Sequence, residues 1–533
     1  MTDYLLLLNA KVYTMDPSAP QAEAVAIRGS RILGVGKEED LRNLAEGQGW
    51  RVVDLGGKTV LPGFIDCHLH FLWYALGPSR VQLDGAYSLQ ATLNRVKRHV
   101  DQAAPGEWVL GWGWNDADWQ DAGSPSREDL DRVAPDNPVA VKKKDGHVVW
   151  ANSLALRMAG IDEETPDRPG GRIERDEDTG RPVGIFKEEA MDLVYDVAPL
   201  PGPETRQEAL LRAMREAQAL GLTGIHDCDG SESLSDYQEM LSRGELGLRV
   251  SMMIPRENLE DEIRLGLRSG FGNEYLRIGN VKVFSDGTLG SQTAQMLEPF
   301  VGQPENLGIA AISQEKLEDV VDRAADAGIA SSVHAIGDGA NRRVLNAFAK
   351  LRQKATGAGL RHRIEHAQLL HAEDVLRFKE LDIIASMQPI HATSDMVLAE
   401  RYWAGREDGA YAWRSLLDTG ARLAFGSDAP VESMDPLVGI HAAVTRQRAD
   451  GQPEGGWYPQ QRLSVAEAVH GYTLGAAYAS GEENDKGSIS VGKLADLVVL
   501  SQDIFGILPQ EILNTRVVAT VFDGRVVHGD DEL

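Results

Sequence analysis

The chain has 533 residues, 42% hydrophobic and 25% charged, a composition with room for a sizeable core and far from that of disordered proteins. Its formal net charge of −27 argues against nucleic acid or an anionic membrane surface as a partner, since either would repel it. Two cysteines, Cys67 and Cys228, exclude a disulfide framework; with no basic leader and no transmembrane-length run, a cytoplasmic protein is expected.

The first sixty residues read as short strands, with Ala24 to Ile27 and Arg31 to Val35 flanking Arg28-Gly29-Ser30 as a hairpin. The C-terminal end repeats this pattern, with Ala495 to Leu500, then Val517 to Phe522, a turn at Asp523-Gly524, and Val526-Val527. Residues 1-58 and 485-533 are therefore expected to build one composite β-sandwich. Between them, β-rich runs alternate with helical patterns such as Gln314 to Ala327 and Ala372 to Glu380, the signature of βα units around a parallel sheet. Strands are expected at Thr59 to Ile65, Leu222 to Asp227, Leu248 to Met253, Ile278 to Phe284, Ala330 to His334, His362 to His366, Ile383 to Gln388 and Leu423 to Ser427. Eight strands fit a closed (β/α)8 TIM-like barrel over residues 59-484. The long gap between the first two strands is far more than one crossover needs, so an inserted α/β subdomain is expected at about 75-218. It holds strand-like Trp108 to Trp112, the run Pro138 to Trp150, and a hairpin pairing Gly171 to Glu174 with Pro182 to Ile185. The short basic run Lys142-Lys143-Lys144 reads as a solvated face.

In parallel barrels reactive groups gather at the C-terminal ends of the strands. His68 and His70, in Asp66-Cys67-His68-Leu69-His70, end the first expected strand with their imidazoles on one side and Cys67 on the other, where packing is its expected role. Lys282 lies near the end of the fourth strand, His334 closes the fifth, His366 the sixth, and Asp428 follows the eighth. Any one of these histidines has a plain alternative as a hydrogen-bonded barrel residue; six such side chains on one rim point to a metal site. Imidazole nitrogen and carboxylate oxygen suit one or two divalent ions, zinc first. Lys282 could join them only after losing its proton, and carbon dioxide would convert the neutral amine into a carbamate able to bridge two metals; the alternative is a lysine paired with Asp286 or Asp227. Asp428 can both touch a metal and hold a proton, as a general base must; the alternative is an aspartate capping the next segment.

The insertion carries His147 and the tryptophans Trp108, Trp112, Trp114 and Trp119. His147, Trp112 and Trp114 are the candidates for substrate contact, against packing as the usual role of such aromatics. His226, His362 and His391 also lie near strand ends and are read as supporting residues, not ligands.

On these residues the chain resembles the metal-dependent amidohydrolase superfamily, most closely its amidohydrolase-3 branch with the N-substituted formamide deformylase-like proteins. The motifs are Leu61 to His70, Asp145 to Leu156, Lys282-Val283-Phe284-Ser285-Asp286-Gly287, Ser332-Val333-His334, Arg363-Ile364-Glu365-His366, Gly426-Ser427-Asp428 and Gly492 to Val498. The resemblance implies that His68, His70 and Asp428 hold one metal, that His334 and His366 hold a second, and that a carboxylated Lys282 bridges this binuclear site. It implies hydrolysis of a small-molecule amide, an N-formyl or N-acyl amine or a lactam. A homodimer is the expected assembly. Two other readings stay open: a mononuclear hydrolytic deaminase of a cyclic amidine or nucleobase-like compound, and a barrel that serves as a non-catalytic scaffold. Deaminase branches usually place a glutamate three residues after the fifth-strand histidine, where this chain has Gly337.

Overall fold

The computed structural model describes residues 4–45, 49–120, 124–355 and 359–533. Its centre is a sheet of eight parallel strands: β1 Phe64–Leu69, β2 Leu222–Asp227, β3 Arg249–Pro255, β4 Leu276–Phe284, β5 Ser331–Ala335, β6 Arg363–His366, β7 Ile384–Met387 and β8 Arg422–Phe425. They pair in sequence order from β1 to β8. All but a few of their residues are buried, as expected of a parallel sheet covered by helices. The register sets the site's geometry: Phe284 lies beside His334, and Ala335 beside His366.

The barrel closes between β8 and β1 just beyond the ladder. The Asp428 amide donates to the His68 carbonyl at 2.7 Å, and the His70 amide donates to the Ala429 carbonyl at 2.8 Å. Beneath them, Oδ1 of buried Asp66 accepts from the amides of His68 at 3.1 Å and Ser427 at 3.0 Å. A side chain at Gly426 would place its Cβ 2.5 Å from the His68 nitrogen, so the close approach of the two strand ends requires glycine there. The same bonds that shut the barrel therefore hold His68, His70 and Asp428 side by side.

The strand expected at Thr59 to Ile65 is two strands. Thr59–Pro62 lies in a six-stranded sheet between Leu497–Leu500 and Lys11–Tyr13, and β1 starts only at Phe64. Every residue from Thr59 to Leu69 is buried, so hydropathy could not mark the break. It falls at Gly63, whose amide bonds back to Asp496 while that of Phe64 bonds forward to Gly221. The other strands of that sheet are Gln21–Ala22, Val517–Phe522 and Arg525–His528. A four-stranded sheet, ordered Arg31–Gly36, Ala24–Arg28, Tyr4–Leu8 and Arg51–Asp54, shares a core with it through Val25, Ile27, Val60, Leu497, Val499 and Val521.

Between β1 and β2 stands a further six-stranded sheet, ordered Gly171–Arg175, Pro182–Glu188, Val148–Ala151, Val139–Lys143, Val109–Trp114 and Val81–Gln82. The expected hairpin pairs Ile173 with Phe186, and the run from Pro138 to Trp150 folds back on itself at Gly146, where φ is +77°. Outer helices include Gln314–Asp326, capped by the Ser313 hydroxyl, and Ala372–Leu381. Among the described residues no helix is long and apolar enough to cross a membrane.

Candidate active site

All six residues expected to bind metal reach one cavity of about 470 Å³ at the C-terminal mouth of the barrel, and His147 lines it as well. Elementary geometry explains the convergence: each lies within a few residues of the C-terminal end of a parallel strand, so the mouth is their shared opening. His366 and Asp428 have left-handed backbones, with φ of +72° and +62°. Aspartate tolerates this conformation, but for histidine it is a strain that surrounding structure must impose.

Each imidazole is oriented by a partner behind it. The Nδ1 of His68 lies 2.6 Å from Oε2 of Glu365, that of His70 is 3.0 Å from Oδ1 of Asp229, and that of His366 is 2.8 Å from Oε1 of Gln388. An acceptor on Nδ1 makes that nitrogen the protonated one and leaves the Nε2 lone pair for the cavity. Burial, the largest influence, lowers the His68 pKa to about 4. Burial and the neighbouring His366 hold His334 well below its ordinary value, and burial with His68 does the same to His366. These three rings are neutral near pH 7, the form that ligates.

Two groups of side chains present donor atoms close enough to hold an ion, with all atoms in a group within 4.8 Å: His68, His70 and Asp428, and His366, His391 and Asp428. Asp428 is common to both. Its Oδ1 is 3.6 Å from His68 Nε2 and 3.8 Å from His70 Nε2, while its Oδ2 is 3.3 Å from His391 Nε2. Burial raises the Asp428 pKa, but the contact with His391 leads the influences that outweigh it and keep the acid ionised. Nitrogen and carboxylate donors at this spacing fit a divalent ion of the zinc type.

Three expectations change in detail. His391, expected only to support the site, turns its ring toward Asp428; it lies one turn into the helix Pro389–Tyr402, off the strand ends where ligands are expected. His334 joins neither group: its Nε2 is 3.1 Å from the Gly287 carbonyl and 3.6 Å from Asp286. Lys282 pairs with neither Asp286 nor Asp227. Asp286 accepts from the amides of Gln295, Ile336 and Gly337, and Asp227 from Tyr237 and from the amides of Phe71 and Asp229. The Lys282 amine instead stands 3.5 Å from His68 Nε2, beside the Phe284 ring.

The substrate-contact candidates also separate. His147 faces the cavity with Nδ1 2.6 Å from Glu188 Oε2, its ring 5.0 Å from that of His334. Trp114 does not reach the cavity: it is buried in the core of the inserted sheet against Trp119 and Trp150, and its Nε1 donates to the Val141 carbonyl at 2.9 Å. Trp112 packs edge-on against Trp73 at 5.8 Å and lines a neighbouring pocket. Trp73, which follows His70 by three residues, is the tryptophan on the cavity wall. Cys67 packs away from the histidines, its sulfur 3.3 Å from the Ser386 hydroxyl.

The solvated-face reading of Lys142-Lys143-Lys144 is wrong for the first two. They lie on a strand inside a sheet, so they alternate between its faces. Lys143 is buried against Asp116 at 2.7 Å, and Lys142 points into the cavity. Periodicity in three like residues carries no sign of which face is covered.

The chain is similar to known proteins over nearly its whole length. The model of the Amidohydrolase family matches residues 51–528. Protein LONG AFTER FAR-RED 3 of Arabidopsis thaliana is 35% identical over 538 residues, covering 98% of this chain and 91% of that protein. N-substituted formamide deformylase of Arthrobacter pascens is 30% identical over 98% of this chain and 97% of the enzyme. The crystal structure of a metal-dependent hydrolase from Pyrococcus horikoshii superposes with a TM-score of 0.77 at 28% identity, covering 95% of this chain and 99% of that one.

Proposed function

This chain belongs to the amidohydrolase family, and on that premise we propose that this metal-dependent hydrolase cleaves the amide-type C–N bond of a small N-formyl or N-acyl amine. The observation that carries the reading is the grouping of His68, His70 and Asp428 within 4.8 Å of one another at the floor of an open cavity. A zinc-type ion held there would polarise the amide carbonyl and acidify a water. The rest of the work falls to the protein. Asp428, kept ionised, takes the proton of the attacking water and returns it to the leaving nitrogen, which then departs as a neutral amine. His147, itself held by Glu188, sits across the mouth where it can donate to the substrate carbonyl. The inserted sheet supplies the wall that excludes bulk water.

For Lys282 we favour the carboxylated form. Its buried amine has the His68 and Phe284 rings as neighbours and forms no ion pair with a carboxylate among the described residues. Carboxylated, Lys282 would add carbamate oxygens beside His68, where they could serve as metal ligands. Incorporation of ¹³C-bicarbonate should give a carbamate resonance that Lys282→Met abolishes.

The deaminase reading loses ground at Gly337. A Cβ there would lie 2.0 Å from the Gln295 carbonyl, so no glutamate fits the position such enzymes use. The proposal is tested by a hydrolysis screen of the purified protein over N-formyl amines, N-acyl amines, lactams and aminopyrimidines, with Asp428→Asn as the blank. Turnover confined to aminopyrimidines would replace it with the deaminase.

A further inference from the structure

Resting on that hydrolytic reading, we propose that Arg80 and Lys142 form a carboxylate-binding subsite, which makes the substrate an N-formyl or N-acyl amino acid rather than an uncharged amide. Both residues line the same cavity as the candidate metal ligands. The Lys142 ammonium is held between two aromatic faces, 4.6 Å from the Trp73 ring and 4.9 Å from that of Tyr195. Trp73 in turn meets the His70 ring at 5.6 Å. One indole therefore spans the distance from the candidate metal ligands to the cation.

What distinguishes this pair is the lack of a counter-ion. Lys143 and Lys144, its neighbours in sequence, pair with Asp116 and Asp84. Among the described residues no carboxylate forms an ion pair or hydrogen bond with the head group of Arg80 or Lys142. The two acids whose charge reaches the pair are already engaged, Asp229 by His70 and the Trp73 amide and Asp192 by Arg168 at 3.4 Å. Two cations facing one cavity without partners repel each other, and burial together with the Arg80 charge brings the Lys142 pKa down to about 8. Buried charge of one sign is tolerated where a ligand supplies the other.

The arrangement also selects the kind of anion. The guanidinium offers a planar fork of donors and the ammonium a point charge, a combination that suits a carboxylate. Asp229 and Asp192 offset part of the positive field at Lys142, which favours a single negative charge over a phosphate dianion. Leu72, Leu76 and Leu200, in the wall of the same cavity, supply apolar surface for the amino acid's side chain.

The test compares N-formyl-leucine with N-formyl-isopentylamine, which differ only in the carboxylate, by calorimetric binding and by kcat/KM on the purified full-length protein. The anion is expected to bind at least about tenfold more tightly, the return from one well-made charged contact. That ratio should collapse toward one in Lys142→Met and independently in Arg80→Gln. Equal binding of the two amides, or a ratio untouched by both substitutions, overturns the subsite. If neither amide is hydrolysed, the proposed reaction fails for this substrate class, while carboxylate-dependent binding lost in both variants still upholds the subsite.

Discussion

His68 and Glu365 meet at 2.6 Å in the fully buried floor of the cavity, and Glu365 is itself clamped by Arg363, whose Nε and Nη2 donate to its two oxygens at 2.7 and 2.9 Å. Burial would raise the Glu365 pKa, but Arg363 and then His68 overcome it and hold the carboxyl ionised. A fixed negative charge on Nδ1 makes Nε2 the stronger ligand. Glu365→Gln keeps the shape and removes the charge, so metal affinity should fall about 10- to 100-fold, read by competition with a chelator. Wild-type affinity in this variant would show that Glu365 serves folding alone.

Asp428→Asn preserves the hydrogen-bonded seam, because the seam uses the backbone of residue 428, and removes the proton acceptor. Turnover should drop by about 10²-fold or more with the circular dichroism and unfolding temperature near wild type. Retention of activity within a few-fold would take Asp428 out of the proton transfer.

Trp114 belongs to the core of the inserted sheet and Trp73 to the cavity wall, so substitutions at the two should separate stability from binding. Trp114→Phe loses the bond to Val141 and part of the packing with Trp119 and Trp150, at a cost of about 1–3 kcal/mol, with KM unchanged below the unfolding transition. Trp73→Ala should raise KM. A KM effect of the Trp114 variant in fully folded protein would contradict the placement.

Glu262, in the helix Leu259–Leu265, is buried with no hydrogen-bond partner for either oxygen, and burial raises its pKa to about 7. Below an unfolded pKa near 4.5 both states are protonated and the group is neutral in its effect. As pH rises from there to 7 the folded state retains a proton that the unfolded state releases, so the wild type loses stability across this window. Glu262→Gln cannot titrate. Its stability relative to wild type should therefore grow between pH 5 and pH 8 by about 1–2 kcal/mol, measured by denaturant unfolding at both pH values; a constant difference would refute the shift.

The rim residues were legible because parallel strands deliver their ends to one mouth, and apolar runs followed by His, Lys or Asp mark those ends. His391 was read as a supporting residue near a strand end; its place in the first turn of the helix after β7, with its ring against Asp428, is what the spacing did not show. Asp229 also escaped, though it follows β2 by two residues much as Asp428 follows β8 by three. The insertion was the opaque part. Its sheet is covered on both faces, so alternation does not mark an inside: Trp114, a candidate for substrate contact, packs in its core, and Lys142, read as solvated, lines the cavity.

What the sequence determined by itself was the place of the chemistry: eight buried strands in a βα rhythm, with imidazole, carboxylate and amine groups at their C-terminal ends, point to a metal site at a barrel mouth and leave amidase, deaminase and scaffold readings open. Local pattern suffices there because strand polarity alone assigns those groups to one face. The tertiary structure decided which donors meet, since backbone bonds across 360 positions bring Asp428 to His68, and the packing of the helix after β7 brings His391 to Asp428. It also decided which cations lack partners: pairing Lys143 with Asp116 and leaving Lys142 open to the cavity depends on how the inserted sheet lies over the barrel, and no spacing along the chain encodes that.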